Sequence, residues 1–203
     1  IPGKNRNLFS VDSNIMMSWM LEKSLRILRE MSEEQKTHIL TQLSISDENL
    51  TQWHDIMRKF CVNVDAGGVI EQFHGYFGLA ELDWKSYREK YGDIHRLDRI
   101  LKAEGKSPDE YKLAKQADLL MSFYNLGEQE VTGILNLLGY DVPDDYLQKN
   151  FDYYIQRTSH GSTLSRLVHA RLAWLMGRRE IGWTLYMDAL RSDLVDIQGG
   201  TTG

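Results

Sequence analysis

Cysteine occurs once in the 203 residues, at Cys61. A single thiol closes no disulfide within the chain and builds no Cys-rich zinc site. That is compatible with a reducing compartment, and a cytoplasmic location is expected. Proline is almost as scarce, with three residues, which leaves room for many uninterrupted helices. No apolar run approaches the ~18–20 residues of a membrane span, so no membrane partner is expected. The opening Ile1-Pro2-Gly3-Lys4-Asn5-Arg6 lacks the apolar stretch of a signal peptide. The absence of a leading Met and the abrupt Gly203 read as a fragment. An excess of positive charge is missing too: 24 Lys and Arg face 29 Asp and Glu, for a net charge of −5. Nucleic acid and anionic bilayers repel such a chain, so neither is expected as its main partner.

Apolar residues at 42% and charged residues at 26% are enough for a sizeable core. From Asp12 or Ser13 to Glu30, Met16, Trp19, Met20, Leu25 and Leu28 recur at helical spacing. Ser32 and Gln35 have the form of a capping box, and a short helix is expected from there to about Leu43. Ser46 is expected to cap a third helix with a stripe of Leu50, Trp53, Ile56, Met57 and Phe60. Between Cys61 and Phe77, Val62 and Val64 alternate with polar residues before Asp65-Ala66-Gly67-Gly68, the pattern of one small hairpin or an extended loop. Helical signals return at Asp83–Tyr91 and Asp93–Ala103. Ser107-Pro108-Asp109-Glu110 predicts a helix running to about Leu126 and stopping at Gly127. Further helices are expected over Glu128–Leu138, from Pro143 to Gln156, from Ser162 to Met176, and from Arg178 or Arg179 to Ser192. The expectation is all-α, with roughly eight to ten helices, short loops and at most one hairpin. A bundle, a solenoid and an α/α toroid all fit that pattern.

Several segments have the makings of a site. His160-Gly161-Ser162-Thr163 falls where a loop enters a helix. Unpaired amides, the helix dipole and two hydroxyls suit an oxyanion there, with Arg157 and His160 as added positive charge. Plain capping by Ser162 or Thr163 is the alternative. Lys115-Gln116-Ala117-Asp118, expected mid-helix, offers donors and an acceptor for sugar hydroxyls, or else forms a solvated helical face. Gln72-Phe73-His74-Gly75-Tyr76-Phe77 suits a turn that packs rings, with Phe73 and Phe77 in the core. The tail from Asp196 to Gly203 exposes amides to an anion or is a flexible end. His38, His54, His74, His95, His160 and His169 do not cluster at metal spacing, and His95 with Asp98 reads as a surface pair. Cys61 reads as a buried thiol, and Met16, Met17 and Met20 as core.

Taken together, five segments resemble glycoside hydrolase family 65, the maltose, trehalose and kojibiose phosphorylases and their hydrolytic relatives. They are Glu71–Phe77, Tyr91–Asp98, Lys115–Asp118, Arg157–Ser165 and Asp196–Thr202, in the family's order and spacing over about Val69 to Gly203. The resemblance implies a partial (α/α)6 barrel, a helical toroid fragment in which residues 1–203 form one segment of a larger catalytic domain. Residues 1–10 read as unrelated or disordered sequence. By resemblance, Lys115 and Gln116 contact the sugar, while His160, Gly161, Ser162, Thr163, Gly199, Gly200 and Thr201 bind phosphate. The implied partners are an α-linked disaccharide and inorganic phosphate as co-substrate, with no other cofactor, and the parent is expected as a homodimer. Val11-Asp12-Ser13-Asn14 resembles the segment after the family's general acid, yet continuing without gaps puts Arg6 where the catalytic Glu belongs. No carboxylate is named as the acid, which is expected upstream of Val11. A phosphorylase, a hydrolase of the same family and a non-catalytic carbohydrate-binding module are the three functions left open.

Overall fold

The computed structural model describes residues 10–192. Ten α-helices follow one another among them: α1 (Val11–Glu30), α2 (Glu33–Gln42), α3 (Asp47–Met57), α4 (Trp84–Tyr91), α5 (Leu97–Ala103), α6 (Asp118–Leu126), α7 (Glu128–Leu137), α8 (Tyr146–Ile155), α9 (Thr163–Leu175) and α10 (Arg179–Arg191). Local chemistry explains many of the boundaries. Ser32 accepts from the Gln35 amide while the Gln35 side chain accepts from the Ser32 amide, and Ser46 and Asn49 repeat the arrangement ahead of α3. Asp83 caps α4 by accepting from the Ser86 amide at 3.0 Å. Gly127, at φ 83°, both ends α6 and starts α7, a left-handed backbone that a side chain would strain.

The expected hairpin is present as a short one. Val64 and Ile70 form an antiparallel bridge, and the Asp65 carboxylate accepts from the Gly67 and Val69 amides at 2.8 Å each. Asn150, fully buried on α8, fastens this hairpin to the helices. Its Oδ1 accepts from the Ile70 amide, and its Nδ2 donates to the Gly68 and Tyr146 carbonyls, all at 2.8 Å. Tyr154 adds a 2.6 Å bond to the Ile70 carbonyl.

The main core gathers around α6, which packs against α1, α7 and α9. Leu119, Leu120 and Phe123 of α6 meet Ile15, Val131, Leu135, Phe151 and Leu172 there. Burying each such side chain contributes about 1.5–3 kcal/mol. A smaller cluster of Leu82, Tyr87, Ile94, Leu97 and Leu101 holds α4 and α5 together. α9 and α10 form a helical hairpin in which Gly182 allows close approach: a Cβ there would lie 3.1 Å from the Ala170 carbonyl oxygen.

Several expectations are corrected. Ser107 opens only a 3-10 turn, Pro108–Glu110, and the chain from Tyr111 to Ala117 is extended or bent rather than helical. The helix begins at Asp118, because the preceding amides pair with distant carbonyls instead of local ones. Lys112 donates to Ala80 and Ala114 donates to Arg157, both at 2.8 Å. Cys61 is exposed rather than buried, and so are Met17 and Met20. The inward face of α1 is carried by Val11, Asn14, Ile15 and Ser18. Phe73 is partly exposed, and the fully buried ring of its segment is Tyr76, with Phe73 edge-on at 5.3 Å. Of the α3 stripe only Met57 is buried.

Candidate functional site

The segment carrying Lys115 and Gln116 lies alongside the one that leads into α9. Ala114 and Thr158 form a parallel bridge. The Ala114 amide donates to the Arg157 carbonyl at 2.8 Å, and the Ser159 amide donates back to Ala114 at 2.9 Å. The pairing continues one residue further, where the Gly161 amide donates to the Lys115 carbonyl at 3.2 Å. A side chain at position 161 has no room: its Cβ would stand 2.7 Å from the His95 carbonyl oxygen and 3.2 Å from Lys115 Cγ. Three of the sequence-predicted segments, at His95, Lys115 and Gly161, therefore meet at one glycine.

Ser162 is the N-cap of α9, with extended backbone at φ −142° and ψ 139°, yet its hydroxyl makes no capping bond. The first-turn amides of a helix have no partner within the helix and face the positive end of its dipole. Thr163 Oγ1 lies 3.1 Å from Ser192 Oγ. His160 holds a left-handed backbone at φ 52°, with Nδ1 3.0 Å from Ser165 Oγ and its ring edge-on to His169 at 4.7 Å. Burial, followed by the nearby charges of His169, Arg166 and His95, pushes its pKa down to about 3. The ring is therefore neutral near pH 7 and adds no positive charge. Arg157 does not add charge to the site either, because its guanidinium is paired with Glu81 and stacked over Tyr153 at 3.9 Å.

On the sugar side, Gln116 Nε2 donates to Asp118 Oδ1 at 3.0 Å, which fixes the amide and leaves Gln116 Oε1 as the acceptor. Lys115 is exposed. Burial raises the Asp118 pKa against the lowering effect of Gln116, and the Asp12 charge raises it further. The start of α1 is thus close by, and the Val11 amide donates to the Gln72 carbonyl at 2.9 Å. Arg6, Gly199, Gly200 and Thr201 lie outside the described residues. His95 is not a surface partner of Asp98: it is half-buried, with Asp93 at 3.4 Å, while Asp98 pairs with Arg96. Among the described residues no group of three or more His, Cys, Asp or Glu could hold a metal ion.

Two roles here were not anticipated from sequence. Asp118 orients Gln116, a link visible only once the segment is known to be extended. Arg166, one helical turn after Ser162, is buried with Nη1 and Nη2 lacking hydrogen-bond partners, which its place in the sequence did not reveal.

Residues 5–203 match the glycosyl hydrolase family 65 central catalytic domain. The chain belongs to that family. It is 44% identical over 190 residues to a trehalose 6-phosphate phosphorylase of Lactococcus lactis, covering 94% of this chain and 23% of the relative. It is 29% identical to a kojibiose phosphorylase of Halothermothrix orenii, covering 88% of this chain and 20% of that protein. Among solved structures, a human-microbiome protein assigned as a kojibiose phosphorylase matches with a TM-score of 0.67 at 24% identity, over 94% of this chain and 24% of that one. This family 65 chain thus spans about a quarter or less of its relatives' length, and its all-α fold is a portion of an (α/α)6 barrel.

Proposed function

We propose that this chain supplies the sugar- and phosphate-binding part of an inverting α-glucoside phosphorylase, acting on a trehalose-type disaccharide with inorganic phosphate as co-substrate. The observation that carries this reading is the contact of Lys115 with Gly161, which sets a sugar-binding pair beside an anion-binding helix start. Inversion requires attack on the anomeric carbon from the face opposite the leaving oxygen, with an acid protonating that oxygen. Phosphate is already anionic and needs no general base. It needs a cradle, for which the α9 start and the Ser162 hydroxyl are suited. Lys115 and the acceptor Oε1 of Gln116 hold sugar hydroxyls next to it. Identity of 44% to a trehalose 6-phosphate phosphorylase, against 29% to a kojibiose phosphorylase, favours a trehalose-type donor carrying a phosphate ester.

No residue of this chain is assigned as the acid, so the 203-residue chain alone is expected to be inactive. Turnover by the purified chain would overturn that. In a full-length family protein carrying this segment, trehalose and trehalose 6-phosphate are incubated with and without phosphate. Phosphate-dependent release of a sugar 1-phosphate is the expected result. Phosphate-independent release of glucose means hydrolysis, and binding without turnover means a carbohydrate-binding module.

A further inference from the structure

A cleft of about 550 Å³ opens between α1, α2 and α3, within the roughly 300–1,000 Å³ of small-molecule sites. None of its lining residues belongs to the segments at His95, Lys115 and Gly161. It lies toward the far end of α1, where Leu28 is about 25 Å along the helix from Val11. Leu28 is buried and Leu25 and Leu50 are half-buried, which makes them the floor. Arg29 and Arg58 are exposed and stand at the rim, and Lys36 lines the α2 wall. The side chains of these three cations have no ion-pair, hydrogen-bond or ring partner among the described residues. Asp55 also lines the cleft, but its carboxylate is committed to Lys59.

Helix ends account for two of the three charges. Arg29 in the last turn of α1 and Arg58 at the C-cap of α3 sit where the dipole favours a cation. Lys36 has no such reason. It is half-buried one turn into α2, toward the end where the dipole disfavours a cation, and neither Glu33 nor Glu34 pairs with it. A partly buried charge without a partner costs free energy until an anion meets it. The floor adds a second requirement, because inorganic phosphate would leave the leucines uncovered. A neutral sugar would leave the charges unmet.

We propose that the cleft between α1, α2 and α3 is a second ligand site, taking an organic polyanion with a flat apolar body, the chemistry of a nucleoside phosphate. It goes beyond the phosphorolysis reading and does not depend on it. The base covers the leucine floor while phosphate oxygens meet Lys36 and the two rim guanidinium groups, whose forked N–H donors suit them.

The test is isothermal titration calorimetry on a full-length family protein carrying this segment, with inorganic phosphate at saturation so that a phosphate site elsewhere is filled. The probes are adenosine triphosphate, adenosine and tripolyphosphate. Adenosine triphosphate is expected to bind, and each of the others at least about tenfold more weakly, since adenosine lacks the charge and tripolyphosphate the apolar body. Arg29→Ser combined with Arg58→Ser should weaken the nucleotide by about tenfold or more. Should that variant not fold, Lys36→Gln decides by the same criterion. Arg99→Ser combined with Lys102→Ser removes equal charge from exposed positions on α5 and should change nothing. No binding of adenosine triphosphate overturns the proposal, and so does either partial probe binding as tightly. Unchanged affinity in the Arg29 and Arg58 variant, or an equal loss in the α5 variant, overturns it as well. Each of these failures leaves the phosphorolysis reading standing, because that reading is tested by release of a sugar 1-phosphate.

Discussion

Gly161 donates its amide to the Lys115 carbonyl at 3.2 Å, and the space where its side chain would be is taken by the Lys115 stem and the His95 backbone. This contact joins the two halves of the proposed site. A shared-site reading required Lys115 and the Ser162 turn to lie on one side of the fold, and the parallel pairing of Ala114 with Thr158 puts them there.

Gly161→Ala tests the junction. Its Cβ would meet a backbone oxygen at 2.7 Å, which cannot move without displacing the chain at His95. The cost is expected at about 1–3 kcal/mol, as for other overpacked sites. Urea unfolding measures it, and a change under about 0.5 kcal/mol would show that the two segments are not held in contact.

Ser162→Ala separates capping from binding. Because the hydroxyl makes no cap bond, stability should stay within about 0.5 kcal/mol of wild type. Phosphate affinity should fall by about 0.5–1.5 kcal/mol, or up to ~3 if the hydroxyl meets a charged oxygen. A loss of about 1 kcal/mol in stability with phosphate binding intact would return Ser162 to an ordinary N-cap.

The buried histidines make stability depend on pH. Burial lowers His160 to about 3 and His169 to about 4, from 6.5. Between those values and 6.5 the unfolded chain binds more protons than the folded one. Stability is therefore full above about pH 6.5 and falls as pH drops through this window, by at most about 1.4 kcal/mol per pH unit for each ring. Urea midpoints at pH 7.5, 6 and 5 should decline, and His169→Gln should flatten the decline. Stability that rises toward pH 5 would contradict the burial of these rings.

The hairpin of α9 and α10 presents Trp174 and Trp183 at 58% and 59% exposure, with Ile181 and Leu190 also exposed. Large apolar side chains exposed in this number favour association. The purified chain is expected to self-associate with rising concentration in analytical ultracentrifugation, and Trp174→Glu combined with Trp183→Glu should shift it toward monomer. A wild-type chain that stays monomeric at high concentration would show that this face needs no cover.

Helix boundaries were legible in the sequence wherever the deciding bonds span three or four residues. The Ser32–Gln35 box, the Ser46 cap, the stop at Gly127 and the Asp65 turn are all of this kind, because the deciding bonds join close neighbours in the chain. The residues of the site could be named from their motifs, but not their arrangement. Lys115 and Gln116 left the expected helix because Ala114 pairs with Thr158, and a long-range backbone bond leaves no trace in local periodicity. Tertiary packing also exposed Cys61, neutralised His160 by burial, and enclosed Arg166 without a partner. Exposure and charge state depend on what other segments bring to a residue. Composition and spacing determined the helices, and only the folding of distant segments against one another decided which side chains share a site.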